Sequence, residues 1–354
     1  MGSAFSVAMV VASDLTNQLL KRYIKTGCLS QTTQDKPLAR ILREKQKAFS
    51  GGNQTISLPV QVAFMSDVSG FFAGYSEDDA LVFTQGQNAL RAEYNWFEHH
   101  AGLEITWSEL KKDGISIVDS GAEREQPDAA GVRITTGVLK NRIEDFGESW
   151  ARAFQLTMWL NGTQDAKAVP GLTSLLTDTS TTGTTGGLSR ATYPAWRHRT
   201  LIGANKITAS PTDQTLSKAL RSEVRQLRRY GGKPDTILCG SSFYDALESE
   251  VTEKGVYTQE GFVNEGKTDM GVAQIRMRGV GKFEYDPTLD DLGLGKRAYF
   301  IDGRRVKLMP MSNEDNKVVH PERPYNAAVY FQSMTWTGAL TVNQLNANGI
   351  YEVA

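Results

Sequence analysis

The longest run of helical periodicity in the chain covers residues 136–162. Its apolar side chains step by three and four positions, which places them on one stripe of a helix. The stripe contains Leu139, Ile143, Phe146, Trp150, Ala153, Thr157 and Leu160. Thr135 or Thr136 can cap the start of this helix, and Gly162 can provide the left-handed residue that ends it. The helix is roughly 38 Å long at 1.5 Å per residue, so we expect the rest of the chain to be organised around it.

Residues 1–57 have the pattern of an arm, because two short helical patterns at 14–26 and 35–49 are separated by a polar, threonine-rich stretch. The second pattern is basic and contains Lys36, Arg40, Arg43, Lys45 and Lys47. A basic helix can bind nucleic acid, but a solvated face or a contact with an acidic neighbour is the commoner use. The apolar segment 4–12 has no preceding positive residue and is short for an export signal, so we interpret it as a buried arm.

The periodicity changes to two in residues 58–107, which predicts an extended two-stranded projection. The predicted strands are 58–65, 80–84, 89–97 and 103–107. The loop in the middle carries aromatic residues beside glycines and then a run of acids: Phe71, Phe72, Tyr75, Glu77, Asp78 and Asp79. Aromatic side chains on a protruding hairpin indicate a surface for a partner, and the alternative is that they fold back onto their own domain.

The region after the long helix predicts a lobe of helices and strands. Residues 177–187 are rich in threonine and glycine, which predicts a mobile surface loop. A second helix follows from the spacing of Leu216, Leu220, Val224, Leu227 and Tyr230. The glycines after it end this helix, a strand is expected at 235–239, and Ser241 or Ser242 can cap a third helix. This order is typical of an α/β or α+β lobe.

The C-terminal region predicts further strands. Asp302-Gly303 separates two apolar runs and predicts a tight hairpin, because this dipeptide suits the turn that matches strand twist. Alternating positions predict the tail strands 325–336, 339–342 and 350–353. These last strands need a sheet to join.

A dense basic row lies on the second predicted helix and just after it: Lys218, Arg221, Arg225, Arg228, Arg229 and Lys233. A phosphate or nucleic-acid site is one interpretation, but Glu223 interrupts the row and no aromatic platform is interleaved. We therefore favour solvated charges or ion pairs between subunits.

Composition and motifs argue against several functions. Apolar residues are 40% and charged residues 22% of the 354, and the net charge of −1 gives no electrostatic reason to bind nucleic acid tightly or to lie on an acidic membrane. Cys28 and Cys239 lack a metal or disulfide pattern, which fits a reducing compartment, and we expect Cys239 to be an ordinary buried thiol. His99 and His100 face opposite sides of a strand and are expected to lie on the surface or pack the hairpin. We predict no catalytic, cofactor-binding or metal-binding residue, and no membrane partner.

Several local stretches carry a resemblance to a known family. The end of the long helix, Leu160-Asn161-Gly162 followed by Pro170-Gly171-Leu172, is the most specific, and 51–59, 99–112 and 228–235 are also similar. In the order of its parts the chain resembles the major capsid proteins of tailed bacteriophages, whose fold is named after phage Hong Kong 97. The resemblance covers nearly the whole chain, although its motifs are architectural.

The resemblance implies an α+β capsid fold with an N-terminal arm, an extended β-hairpin loop, a long spine helix, and peripheral and axial domains. The expected divisions are arm 1–57, hairpin loop 58–107, peripheral domain 108–168 with the spine helix at 136–162, axial domain 169–310, and a return to the peripheral domain at 311–354. The expected assembly contacts are Phe71, Phe72, Tyr75, Glu77, Asp78, Asp79, Arg40, Arg43, Arg221, Arg225, Arg228 and Arg229.

The function implied is self-assembly into hexamers and pentamers of an icosahedral shell around double-stranded DNA, without sequence-specific binding. Implied partners are a portal and decoration protein, and the location is the virion, assembled in the host bacterial cytoplasm. In the founding phage a hairpin lysine forms a covalent crosslink, but this chain has no lysine between Lys47 and Lys111, so we expect no such crosslink. No long helical scaffolding region precedes the arm, so a separate scaffolding protein is expected. The alternatives are an encapsulin-like nanocompartment shell and an α/β enzyme.

Overall fold

The computed structural model of the chain describes residues 33–63, 71–72, 74–80, 83, 89–106, 129–253, 275, 277, 280–319 and 329–354. Its α-helices are α1 (Pro37–Glu44), α2 (Ala129–Trp159), α3 (Leu172–Leu175), α4 (Thr215–Arg228), α5 (Ser241–Glu253) and α6 (Pro287–Asp291). Its strands are β1 (Thr55–Gln61), β2 (Ala89–Asn95), β3 (Phe97–Thr106), β4 (Thr184–Thr185), β5 (Leu188–Ser189), β6 (Arg199–Leu201), β7 (Thr236–Cys239), β8 (Phe283–Tyr285), β9 (Arg297–Ile301), β10 (Val306–Pro310), β11 (Lys317–Val319), β12 (Val329–Val342) and β13 (Gly349–Glu352). The predicted helix at 14–26, the segment 4–12 and most of the predicted strand at 80–84 lie outside the described residues.

The described chain divides into two compact units. The smaller unit contains residues 100–106, 129–153, 316–319 and 329–335, and the larger contains most of the remainder. In the smaller unit β11 pairs antiparallel with residues 333–335 of β12, and Trp150 Nε1 donates to Asn316 Oδ1 at 3.0 Å. In the larger unit β10 pairs antiparallel with residues 338–342 of β12.

The predicted long helix is present as α2, but it begins at Ala129 and ends at Trp159. Thr135 and Thr136 therefore lie inside the helix, and their predicted role as caps is wrong. Six residues of the helix precede Thr135, so the threonine pair does not lie at the N-terminal turn where a cap acts.

The buried face of α2 differs from the predicted stripe in its last turns. Ala153, a predicted stripe residue, is exposed, whereas Phe154, Met158 and Trp159 are buried. Trp159 packs edge-on against Tyr299 of β9 at a centroid distance of 4.9 Å. Contacts with the sheet therefore determine which face of the helix is buried in these last turns, and periodicity alone predicts that face wrongly.

The chain turns sharply after α2 because two glycines allow backbone contacts that no side chain would permit. Gly162 has a φ of +83°, in the left-handed region as predicted. Gly171 donates its N–H to the Leu160 carbonyl at 2.8 Å, and a Cβ on Gly171 would lie 2.4 Å from Met158 O. Thr173 Oγ1 donates to the Trp159 carbonyl at 2.7 Å, so the segment after the turn satisfies carbonyls at the end of the helix.

A five-stranded sheet of order β6-β13-β9-β7-β8 forms the centre of the larger unit. The predicted helix and strand are confirmed as α4 and β7, and their apolar residues share one core cluster with α5 and the sheet. Tyr230, predicted to belong to the apolar face, is 60% exposed beyond the end of α4. Ser241 is the first residue of α5, and its N–H bonds to Asp290 Oδ1 at 3.0 Å.

The hairpin predicted at Asp302-Gly303 is wrong. β9 joins the five-stranded sheet, whereas β10 pairs with β12 in a different sheet. The buried carboxylate of Asp302 accepts bonds from the Lys233 N–H and from the backbone and side chain of Arg304. Burial raises the pKa of Asp302, but these donors outweigh burial and leave its pKa below the ordinary value. The aspartate thus fixes a crossing between two sheets, because the Lys233 N–H, 69 residues away in sequence, and the neighbouring Arg304 both bind its carboxylate.

The threonine- and glycine-rich segment at 177–187 is also different from the prediction of a mobile loop. β4 and β5 pair antiparallel within it and just beyond it, and Thr185 is buried. Trp196 Nε1 donates to the Thr185 carbonyl at 3.0 Å, and the Arg190 N–H donates to the Gly183 carbonyl at 3.0 Å. Backbone hydrogen bonds to later residues therefore order a segment whose own side chains bury little area.

Candidate assembly surfaces

The hairpin of β1 and β2 is fixed to the larger unit at its base. Ala92 is fully buried, and the Tyr94 hydroxyl donates to the Val342 carbonyl at 2.8 Å. Burial raises the pKa of Tyr94 well above its ordinary value, so the hydroxyl keeps its proton. Gly186 packs under this ring, since a Cβ there would lie 2.8 Å from Tyr94 Oη, and its carbonyl accepts the Glu93 N–H at 3.0 Å. The threonine- and glycine-rich segment therefore seats the hairpin.

Beyond this base the aromatic residues predicted as contacts are exposed. Phe71 is 47%, Phe72 99% and Tyr75 74% exposed, and Phe83 is 92% exposed as well. We call these four residues the hairpin aromatics. An aromatic side chain buries about 150–250 Å² when it is covered, so this much apolar surface is costly to leave in water. The arrangement fits a surface that another chain covers.

The acids that follow the first hairpin aromatics form a turn. The Ser76 N–H donates to Asp79 Oδ2 at 2.7 Å, and the Asp79 N–H donates to the Ser76 carbonyl at 3.0 Å. Glu77 and Asp78 are exposed, and within the described part of the chain neither makes an ion pair. We call Glu77, Asp78 and Asp79 the acidic turn.

Arg40 and Arg43 lie on α1, which packs against the chain's own larger unit. Leu38 and Leu42 of α1 are buried. Arg40 pairs with Glu284, and the guanidinium of Arg43 lies 4.7 Å from the ring centroid of Phe154. These two arginines therefore contact groups of their own subunit.

The predicted basic row is exposed along α4 and just after it. All six predicted residues are exposed: Lys218, Arg221, Arg225, Arg228, Arg229 and Lys233. We call the first five the basic row. Glu223 does not interrupt it, because this buried carboxylate accepts two bonds from the Arg199 guanidinium, at 2.9 and 2.8 Å. Arg229 lies 5.5 Å from the ring centroid of the exposed Tyr230. The charged residues on the solvent-exposed face of α4 are thus all positive.

Outside these surfaces, the histidine and cysteine side chains that could carry chemistry, His99 and Cys239, have structural roles. His99 accepts the Val169 N–H at 3.3 Å and stacks on Trp336, and burial lowers its pKa, so it packs against residues outside the hairpin. Cys239 is fully buried, as predicted, and burial raises its pKa to about 12. In the parts of the chain that the structure describes, no group of three or more histidine, cysteine or carboxylate side chains could hold a metal ion.

Sequence reasoning missed a buried polar network at the end of α2. Asp286 Oδ2 accepts bonds from Gln155 Nε2 and Trp159 Nε1, both at 2.8 Å, and Asp286 Oδ1 accepts the Thr288 N–H at 2.9 Å. Gln155 Oε1 in turn accepts the Ala39 N–H of α1 at 2.7 Å. The polar Gln155 on an apolar helix face is the only sequence signal for it. Phe83 was missed as well, although it stands in the same predicted projection as the other hairpin aromatics.

No known protein family and no curated protein matches this sequence. Solved structures do match. A chain of the cyanophage A-1(L) capsid asymmetric unit aligns with a TM-score of 0.60 at 16% identity, over 92% of this chain and 94% of that chain. A chain of the capsid of a native GTA particle gives 0.54 at 15% identity, and one of the capsid of Myoviridae phage XM1 gives 0.53 at 12%; each alignment covers 92% of this chain and 95% of the other.

These alignments establish the fold. The chain has the α+β capsid fold of tailed-phage shell proteins, the Hong Kong 97 type, and the predicted fold class is confirmed. The structural similarity extends over nearly the whole length of both chains in each alignment, although the sequence identity is low. No helix within the described ranges is long and apolar enough to cross a lipid bilayer.

Proposed function

We propose that this chain is a major capsid protein that assembles into hexamers and pentamers of an icosahedral shell enclosing phage double-stranded DNA. The observation that carries the proposal is the shared fold with capsid subunits over 92% of the chain, combined with a hairpin that is firmly seated at its base and exposes aromatic rings beyond it. Shells are built from contacts between non-identical surfaces of identical copies, and the hairpin aromatics are such a surface.

The proposal includes the chain's partners and location. The shell forms in the host bacterial cytoplasm, with a scaffolding protein, a portal and a decoration protein as partners, and becomes part of the virion. The division into arm, hairpin loop, peripheral domain and axial domain stays a prediction. The near-neutral net charge of −1 suits a container that holds DNA without sequence-specific contacts.

Electron microscopy of the purified full-length protein tests the function. We expect closed shells with sixfold and fivefold capsomers, and the contents of particles from infected cells distinguish the two containers. DNA supports the capsid, whereas a protein cargo supports the nanocompartment. A soluble monomer with a ligand-filled pocket contradicts both and supports an enzyme.

The matched variant is Phe72→Ser. Phe72 is 99% exposed, so its loss leaves the subunit's thermal stability unchanged while shell yield falls. Val318→Thr, at another exposed apolar position, is the control and assembles normally. Normal shell yield from Phe72→Ser would remove the hairpin from the assembly interface.

The missing hairpin lysine gives a second test. Mature particles should run as monomers on a denaturing gel, because no lysine between Lys47 and Lys111 can form an isopeptide bond. A ladder of covalent multimers would show that the shell is crosslinked by other residues.

A further inference from the structure

Opposite charges are segregated on this chain. From residue 48 to residue 90 there is no lysine or arginine, while the acids there are Asp67, Glu77, Asp78 and Asp79. The basic row on α4 carries only positive charge on its exposed face, since Glu223 is turned inward to Arg199. The net charge of −1 therefore conceals one acidic and one basic surface on each copy.

Several charges on each of these two surfaces are unmatched within the described part of the chain. Some cations elsewhere in the larger unit do have a carboxylate partner in the same chain, such as Arg40 with Glu284 and Lys45 with Asp235. Within the described residues, neither the carboxylates of Glu77 and Asp78 nor the side chains of Lys218, Arg221 and Arg225 form an ion pair. Both sets are exposed. Unmatched and complementary charges on different surfaces of one chain fit a head-to-tail contact between copies.

We propose that the acidic turn of one copy docks on the basic row of a neighbouring copy. This assignment rests on the proposed function, because it names the partner of the hairpin within a shell. Lys218, Arg221 and Arg225 are spaced three and four residues apart, so they line about 10 Å of one helix face. Guanidinium groups can pair with carboxylates and also stack on aromatic rings, so the same row can receive the acidic turn and the adjacent Tyr75. The charges fix register and orientation while the rings exclude water.

Nucleic acid is the competing occupant of the basic row. It would neutralise the row but would leave the acidic turn of every copy unmatched. A second copy satisfies both surfaces at a fixed one-to-one ratio. Charge complementarity therefore favours the second copy.

A charge swap in the full-length protein tests the proposal. The paired variants are E77K with D78K on the hairpin and R221E with R225E on α4, and Lys206→Glu is the control at another exposed cation. We expect each reversal alone to reduce shell yield by at least about tenfold, since like charges then face each other. The fourfold variant that combines both reversals should recover most of the yield, and the control should match the wild type. Assembly of the wild type should also weaken as ionic strength rises.

Each other outcome is informative. If the wild type forms no shells, the proposed function fails first. If shells form and both single reversals still assemble, the function stands and the docking is wrong. If each reversal blocks assembly but the combination does not rescue it, the two surfaces have different partners and the proposal is overturned. Normal assembly of the α4 reversal with loss of salt-sensitive DNA binding would assign the basic row to nucleic acid.

Discussion

Replacing Gln155 by methionine removes the amide that joins three elements of the larger unit. Methionine has a similar length and suits the apolar surroundings, so the change tests the hydrogen bonds rather than the packing. The Ala39 N–H of α1 loses its acceptor at 2.7 Å, and Asp286 loses a donor at 2.8 Å.

The size of the effect follows from these two losses. A buried N–H left without an acceptor costs about 1–3 kcal/mol, and a lost hydrogen bond to a charged group costs about 1.5–3 kcal/mol. The free energy of unfolding should therefore fall by about 3–5 kcal/mol. At about 2–4 °C per kcal/mol for a unit of this size, that corresponds to a fall of about 6–20 °C in melting temperature.

Calorimetry of the unassembled subunit measures this shift, and tryptophan fluorescence, to which Trp159 of the network contributes, follows the same unfolding transition. Gln226→Met is the control, because Gln226 is exposed on α4 and should change the melting temperature by less than about 1 °C. A Gln155→Met subunit that melts with the wild type would show that the network does not stabilise the junction of α1, α2 and α6.

Three further predictions concern the same unit. Burial raises the pKa of Asp286 even though Trp159 and other donors bond to it, so the native state binds this proton more tightly than the unfolded chain. The contribution of Asp286 to stability should therefore grow as the pH falls from neutral through that raised pKa. As the pH is lowered from 7 to 4, the melting temperature of the wild type should rise relative to that of Asp286→Asn. Gly171→Ala should destabilise the subunit by at least about 3 kcal/mol in denaturant unfolding, since a Cβ cannot lie 2.4 Å from Met158 O. Cys239, whose pKa is raised to about 12, should resist thiol reagents at pH 8 in the native subunit and react once it is unfolded.

Each of these has its own contradicting result. Parallel pH curves for the wild type and Asp286→Asn would mean that the carboxyl titrates as it does in the unfolded chain. Wild-type stability of Gly171→Ala, with Gly74→Ala as a comparison at a site that leaves room for a Cβ, would disprove the close approach. Rapid labelling of Cys239 in the native subunit would place that thiol at the surface.

Local patterns predicted much of the candidate assembly surface. The alternation in 58–107 with glycines around the aromatic residues predicts a projection, and Phe72 and Tyr75 are indeed exposed. The four-residue spacing of cations on α4 places them on one face whatever the helix packs against, because side-chain direction follows from helix geometry. These predictions held because they depend on neighbouring residues alone.

Predictions that depended on distant partners did not hold. Asp302-Gly303 is a strong hairpin signal locally, yet the distant Lys233 and Asn348 hydrogen-bond to Asp302 and hold it in a crossing between sheets. The segment 177–187 has little to bury, yet Trp196 and the base of the hairpin hold it in place.

The sequence by itself determined the long helix α2, the projecting hairpin, the alternation of helices and strands, and the separation of charge along the chain. These features follow from periodicity and glycine placement, which act over a few residues. Only the tertiary structure decided which face of α2 is buried, where α1 docks and which carboxylates are matched within the chain. Those outcomes require groups far apart in sequence to meet, and the free energy of a buried bond depends on both partners being present.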